Sequence, residues 1–377
     1  MRVLALGHTA ELGGAEIGLV HMARHLPADL RVALLADGPL VGRLRAADRP
    51  VAVRDLGDAL APPGRTARDR ARFARGLAAL RRVVLDEVAA SGADVVLLNS
   101  LRVARLVAAC ALPRRVRCVT MLRDGLRPPH LRRPEALRAQ VAVNAVSAAV
   151  VANSAWTRAQ LVTRRPTSVV PPFLAADLFA TPPVARDGVD DADADELRVL
   201  MLGRMAHWKG QLHGLRALAA SRPRRRLRVT VAGGAWFGEV GQAEKLRRFA
   251  REHPELPVDL PGHVDDVLGL IDRHDVLLHT SLLPEPFGQV VVQGMARGRV
   301  VVAADRGGPA EMITHGRDGL LYRTGDHDDL VATVERVAGG GVDLAALRDG
   351  ARRTAERYHP ARTGERLRAA LERVAGR

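Results

Sequence analysis

Aromatic side chains make up only 3% of the 377 residues, too few for the stacking platforms on which proteins hold single-stranded nucleic acid. Cysteine is confined to Cys110 and Cys118, whose spacing fits neither a zinc site nor a redox pair, so a reducing, cytoplasmic setting is the simpler expectation. No stretch approaches the ~18 apolar residues that a spanning helix needs. The opening MRVLALGH is a short strand-like run that leads into Gly-Gly, without the long apolar region and cleavage site of a signal peptide. Lysine is nearly missing as well: of 57 basic residues, only Lys209 and Lys245 are lysines. The net charge of +15 and the pI near 11.2 therefore come from arginine spread along the chain beside abundant Ala and Gly. That distribution reads as compositional bias rather than a phosphate-binding patch, and nucleic acid is not an expected partner. In such a chain a lysine inside a Gly-flanked loop stands out.

What is present is a repeated alternation. With 47% hydrophobic residues and this length, two domains with real cores are expected. Strand-like runs at 2–7, 31–36, 94–98, 116–121 and 150–152 are separated by helical patterns. In 65–84, Phe73, Leu77, Leu80 and Val84 fall on one helical face. A second series follows: strand 197–202, helix 210–220, strand 227–232, helix 241–252, strand 275–278, helix 289–297 and strand 299–303. The pattern predicts an α/β protein of two doubly wound, Rossmann-like domains facing one another across a ligand cleft. The expected division is 1–175, a linker over 176–196, 197–360, and a basic amphipathic C-terminal helix within 361–377. The run Asp191, Asp193, Asp195 mimics the start of a calcium loop. Its sixth position is Glu196 instead of Gly and its twelfth is Leu202 instead of Glu, so calcium is rejected.

Four strand-to-helix loops carry candidate chemistry. The first, GHTAELGGAE, offers Gly13 and Gly14 for close backbone approach and a helix N-terminus for an anion; a bare turn is the alternative. It is neither GxGxxG nor a P-loop. In the second, GRMAHWKG, Arg204 and Lys209 bracket a short loop at a strand's carboxyl end, where a diphosphate could sit; two solvated surface cations are the alternative. The third, PEPFGQ, holds Glu285 just before the amides of Phe287, Gly288 and Gln289, with Gln293 one turn into the helix and Gly298 as its C-terminal cap. The fourth runs from Asp305 to Glu311. Four anion-ready loops on two domains suit a ligand with a diphosphate in its middle.

GGAE (13–16), GRMAHWKG (203–210) and EPFGQVVVQGMARGRVVVAADRGGPAEMI (285–313), taken in order, resemble the retaining nucleotide-sugar glycosyltransferases of family 4. The match is good over roughly 197–330 and rests on the Gly-Gly loop and the general pattern elsewhere. The resemblance implies the GT-B fold, with the C-terminal helix packing back on the N-terminal domain. It implies that Arg204 and Lys209 hold the donor diphosphate, that Gly14 approaches phosphates and sugar by its backbone, and that Glu285 sits beside the transferred sugar. The amides of Phe287, Gly288 and Gln289 would bind sugar hydroxyls or phosphate. The position whose Glu accepts from the ribose hydroxyls in the family is Gln293 here, an uncharged acceptor. Two further departures are Arg123 before Asp124, where relatives place a His that faces the acceptor, and VVPPFLAAD (169–177) in place of a Pro-Asn-Gly turn. No metal and no cofactor are implied, since fixed cations stabilise the leaving diphosphate.

The expected partners are a nucleotide-sugar donor, UDP- or GDP-linked, and a small-molecule, lipid-linked or glycan acceptor. Two rival readings share the loops: a nucleotide-sugar epimerase of the same fold, and a glycosyltransferase-like protein that binds without turning over. The basic helices around 65–82 and 361–376, and the Arg-rich stretch 102–138, could lie on an anionic membrane; solvated faces of biased composition are the simpler expectation for them.

Overall fold

Two parallel sheets organise the chain. A computed structural model describes residues 1–180, 196–222, 226–234 and 239–376. The first sheet contains β1 (Arg2–Gly7), β2 (Asp29–Leu34), β3 (Val51–Val53), β4 (Val95–Leu98), β5 (Cys118–Leu122), β6 (Ser147–Ala152) and β7 (Thr167–Val169), in the order β3-β2-β1-β4-β5-β6-β7. The second contains β8 (Glu196–Leu202), β9 (Arg226–Ala232), β10 (Val258–Gly262), β11 (Val276–His279), β12 (Val300–Ala304) and β13 (Leu320–Tyr322), in the order β10-β9-β8-β11-β12-β13. Every named pairing is parallel. Parallel strands are covered on both faces, so their sequences run apolar without alternation. β4 (VVLL) and β12 (VVVAA) show this, with every residue buried.

The first compact unit comprises Met1–Leu174 together with Pro360–Arg377, and the second Ala175–His359. Both are Rossmann-like. In the first, the helix Ala67–Ser91 turns Leu80 and Val84 into a core shared with Leu4, Leu6, Val96 and Leu98, while Phe73 and Leu77 pack at its margin. The helix outruns the expected 65–84 because nothing stops it before Gly92, whose φ of +57° ends it in the left-handed conformation. Thr66 caps its start by accepting from the Asp69 N–H. The last helix, Pro360–Ala375, buries Leu367, Ala370 and Leu371 against Leu19, Met22 and Ala23 of the same unit. Amphipathicity predicts that helix; the company it keeps follows from which apolar face was left uncovered.

Of the expected linker, 181–195 lie outside the described residues, and with them the Asp191, Asp193 and Asp195 run. Asp177–Ala180 forms one helical turn and Glu196 opens β8. Strands β3, β7, β10 and β13, all at sheet edges, are absent from the sequence reading. β3, β7 and β13 have three residues each, too few for a period to register, and β10 (VDLPG) carries Asp, Pro and Gly with no residue fully buried.

Candidate active site

Each sheet reverses its strand order once. In the second unit the order grows outward from β8 on one side and from β11 on the other, so the loops after these two strands leave toward opposite faces. The gap between them, at the strands' carboxyl ends, is where open α/β sheets bind ligands. Lys209 stands in the loop after β8 and Glu285 in the loop after β11, and the structure brings them together: Lys209 Nζ lies 2.5 Å from Glu285 Oε2.

That carboxylate oxygen is crowded with donors. Ser281 Oγ donates to it at 3.1 Å, and His279 Nε2 lies 3.5 Å from it and 3.0 Å from Ser281 Oγ. Glu285 Oε1 has no partner among the described residues. Burial alone would push the Glu285 carboxyl up; Lys209, and then the hydrogen bond and charge of His279, overcome it and hold the group well below the usual carboxylate range. Glu285 is therefore ionised, with one oxygen saturated and one available to accept. His279 and Ser281 are functional neighbours that motif reading missed. The available signal was spacing, since residues two apart leaving a strand point to the same side.

Backbone contacts fix the loops to one another. Thr280 Oγ1 donates to Lys209 O at 2.9 Å, and Leu282 N to Trp208 O at 2.7 Å. Gly210 has φ +68°, and a Cβ there would stand 2.0 Å from Thr280 O, so only glycine lets the two loops close. The Lys209 ammonium also lies 4.4 Å from the centroid of the Trp208 ring. The loop after β12 joins on the other side. Gly307 forms a bridge with Glu285, and Gly308 N donates to Glu285 O at 2.7 Å. A Cβ on Gly308 would fall 2.0 Å from Phe287 O. Three loops from adjacent strands thus form one wall around the ion pair.

The remaining sequence candidates divide. Gly288, with φ +91°, caps the helix Gln289–Ala296, whose first N–H groups have no intrahelical acceptor. Phe287 is buried, its ring edge-on to Tyr358 at 5.8 Å. Gln293 is half-buried, and its side chain makes no hydrogen bond among the described residues. Arg204 is not gathered into the Lys209–Glu285 cluster: its Nε lies 3.5 Å from Glu239 Oε2, and Gln211 Nε2 donates to its carbonyl at 2.8 Å. The two cations expected to act as a pair are held by different carboxylates here.

In the first unit the reversal falls between β1 and β4. Across it, Ser100 Oγ and His8 Nδ1 lie 3.1 Å apart. Gly13 is the N-cap of the helix Gly14–His25, without a side-chain cap. Arg123, expected on the acceptor side, spends its guanidinium on the chain itself. Nη1 donates to Ala15 O at 3.2 Å and to Asn99 O at 3.4 Å, and Nη2 to Asn99 Oδ1 at 3.0 Å. It ties the start of the Gly-Gly helix to the loop after β4, while its neighbour Asp124 is exposed. Five donors in a rigid fork suit a three-way tether better than imidazole would.

Burial, and secondarily the charge of Arg102, lower the His8 pKa from 6.5 to about 4. The folded value lies below the unfolded one. Stability linked to neutral His8 is thus complete above ~6.5 and drains as pH falls toward ~4. His8→Asn is expected to lose roughly 1 kcal/mol less unfolding free energy than wild type between pH 7 and 5, after allowance for its partial exposure. Urea unfolding at the two pH values measures it, and equal losses would contradict the burial argument.

Among the described residues no group of three or more His, Cys, Asp or Glu is placed to hold a metal ion, and no helix is long and apolar enough to cross a membrane. Residues 196–339, the stretch that carries the Lys209–Glu285 pair, match the family model "Glycosyl transferases group 1". The chain is 29% identical over 136 residues to a putative glycosyltransferase, YtcC, of Bacillus subtilis, a match covering 34% of this chain and 32% of that protein. It is 29% identical over 204 residues to the D-inositol 3-phosphate glycosyltransferase of Rhodococcus erythropolis, covering 51% of this chain and 45% of that protein. The matches thus span a third to a half of these relatives' length. The crystal structure of Anabaena HepE in complex with UDP superposes with a TM-score of 0.82 at 25% identity, over 99% of this chain and all of that one. The two Rossmann-like units resemble in fold those of GT-B glycosyltransferases, and the candidate site lies inside the segment that matches a glycosyl transferase family model.

Proposed function

We propose that the chain transfers a sugar from a nucleotide-diphosphate sugar to an acceptor hydroxyl with retention of anomeric configuration. The observation that carries the reading is the Lys209–Glu285 pair at the β8/β11 reversal: a cation for phosphate and a carboxylate oxygen for sugar, locked together by three loops. Anabaena HepE, whose crystal structure holds UDP, supports a nucleoside diphosphate as the ligand.

The sugar C1–O bond to the β-phosphate breaks as positive charge gathers on the sugar and negative charge on the phosphate. Lys209 and Arg204, with the N-terminal amides of the helix Gln289–Ala296, stabilise that anion from fixed positions. For this, Lys209 shares its charge between Glu285 and the phosphate, and Arg204 leaves or shares Glu239. Glu285 accepts from a sugar hydroxyl through Oε1. The acceptor hydroxyl attacks C1 from the face the phosphate leaves, and a departing phosphate oxygen takes its proton. Gln293 accepts from the ribose without charge assistance. Asp124 and the first unit's carboxyl edge belong to the acceptor side, and a lipid-linked acceptor would make contact with a membrane surface useful.

Calorimetric titration of UDP, GDP, ADP and dTDP tests the donor site. One nucleotide is expected to bind at micromolar strength, lose binding in Lys209→Ala, and bind several-fold tighter in Gln293→Glu, because charge-assisted hydrogen bonds are roughly twice as strong. If none binds, even to Gln293→Glu, the reading fails and a non-catalytic binding protein takes its place. Release of free nucleotide with a rearranged sugar and no acceptor would favour the epimerase.

A further inference from the structure

The large apolar side chains that stand exposed among the described residues are Ile17, Leu137, Val141, Val162 and Val169, and the three most exposed gather in one place. The helix Arg133–Val146 buries Ala136, Ala139 and Val143. Leu137 and Val141, one turn apart on the opposite face, are 66% and 60% exposed. The loop after the helix Ala155–Gln160 brings a third: Val162 N donates to Gln140 Oε1 at 3.0 Å, and Asn144 Nδ2 donates to Val162 O at 3.0 Å. Gln140 lies one turn from Leu137 and Asn144 one turn from Val141, so the loop sets Val162, itself 67% exposed, beside that pair and the three form one aliphatic ridge.

The charge around the ridge has one sign. Residues 125–176 contain seven arginines and a single carboxylate, Glu135. Arg133 lies one turn before Leu137 and Arg138 one turn before Val141, both exposed. Arg165 reaches the helix end, with Nε and Nη2 at 3.3 and 3.2 Å from Asn144 O. The two basic helices that the sequence offered for a membrane, Ala67–Ser91 and Pro360–Ala375, instead spend their apolar faces on the core of the first unit.

We propose that the ridge of Leu137, Val141 and Val162 docks the chain on an anionic lipid surface. The aliphatic side chains enter the interface between headgroups and acyl chains, and the surrounding arginines meet lipid phosphates. A second copy of the chain fits the ridge worse, because a symmetric contact would set arginine against arginine. The inference is independent of sugar transfer, since it needs neither donor nor turnover.

Sedimentation with vesicles of phosphatidylcholine alone and of phosphatidylcholine with phosphatidylglycerol is the test. The triple variant Leu137→Ser, Val141→Ser, Val162→Ser keeps the net charge, and circular dichroism checks its fold. Wild type is expected to partition to the anionic vesicles, with weaker binding at high salt, and the triple variant to bind about tenfold less or weaker still. Arg133→Gln with Arg138→Gln is expected to weaken binding more than Arg70→Gln with Arg75→Gln on Ala67–Ser91, which controls for general charge. Undiminished binding by the triple variant, equal loss in both arginine pairs, or no binding by wild type would overturn the proposal. So would a wild-type dimer in analytical ultracentrifugation that the triple variant converts to monomer.

Discussion

Lys209→Ala lowers turnover by about 10²–10³-fold, the usual loss when one preorganised donor to a developing anion is removed. Several observations single this lysine out. It is one of two lysines in an arginine-rich chain; its ammonium is held by the Glu285 carboxylate and the face of Trp208, and its backbone carbonyl is fixed by Thr280. A residue so fixed needs no reorganisation when charge develops on a phosphate beside it, which is what makes a donor effective in catalysis. Steady-state kinetics with the nucleotide sugar identified by calorimetry, beside circular dichroism of the variant, checks the expectation. Turnover within about threefold of wild type would remove Lys209 from the mechanism, because a merely solvated surface cation contributes no more than that. Lys209→Arg separates charge from shape. A planar guanidinium in a slot fitted to a compact ammonium is expected to recover only part of the loss.

How much of this was legible beforehand differs between fold and site. Strand β1 is read from RVLALG without error, and β8 and β12 to within a residue, because a strand buried on both faces writes itself as an uninterrupted apolar run. Edge strands such as β13 do not, having only three residues and one buried flank to show. At the site, Lys209 and Glu285 were each visible in loops at strand ends, but not their contact. They are 76 residues apart, and their meeting depends on β8 and β11 being neighbours in the sheet. His279 and Ser281 were invisible for a related reason: a histidine closing a buried strand such as β11 is most often core, and only the return of Glu285 onto the strand end gives it a charge to face. Arg123 is the instructive departure. Its place in the chain suggested an acceptor contact, whereas three backbone and amide oxygens converge on its guanidinium. No sequence pattern distinguishes an arginine that reaches outward from one that ties two loops together.

Glu285→Gln is expected to move binding and turnover in opposite directions, and that opposition makes it the sharper test of the site. The Glu285 carboxylate is ionised and 2.5 Å from Lys209, so an incoming diphosphate meets both the cation it needs and an anion that repels it. Removing that charge while keeping the shape frees Lys209 for phosphate. Nucleoside diphosphate binding should tighten by about five- to tenfold, corresponding to roughly 1 kcal/mol of relieved repulsion. Turnover should fall by about 10²-fold, because the amide accepts more weakly from the sugar hydroxyl and no longer offsets the positive charge that builds on the sugar as its bond to phosphate breaks. The variant also reports on pH. The wild-type carboxyl is held well below the usual range, so its contribution is complete at neutral pH and survives into acid; any acid limb of kcat/KM above pH 4 must belong to another group and should persist in Glu285→Gln. Calorimetry of the diphosphate and a pH–rate profile of the variant decide the matter together. Weaker binding would mean that Glu285 orients Lys209 for phosphate instead of competing for it, and an acid limb that vanishes with the substitution would mean that Glu285 titrates in the working range and that the donors on Oε2 do not hold it.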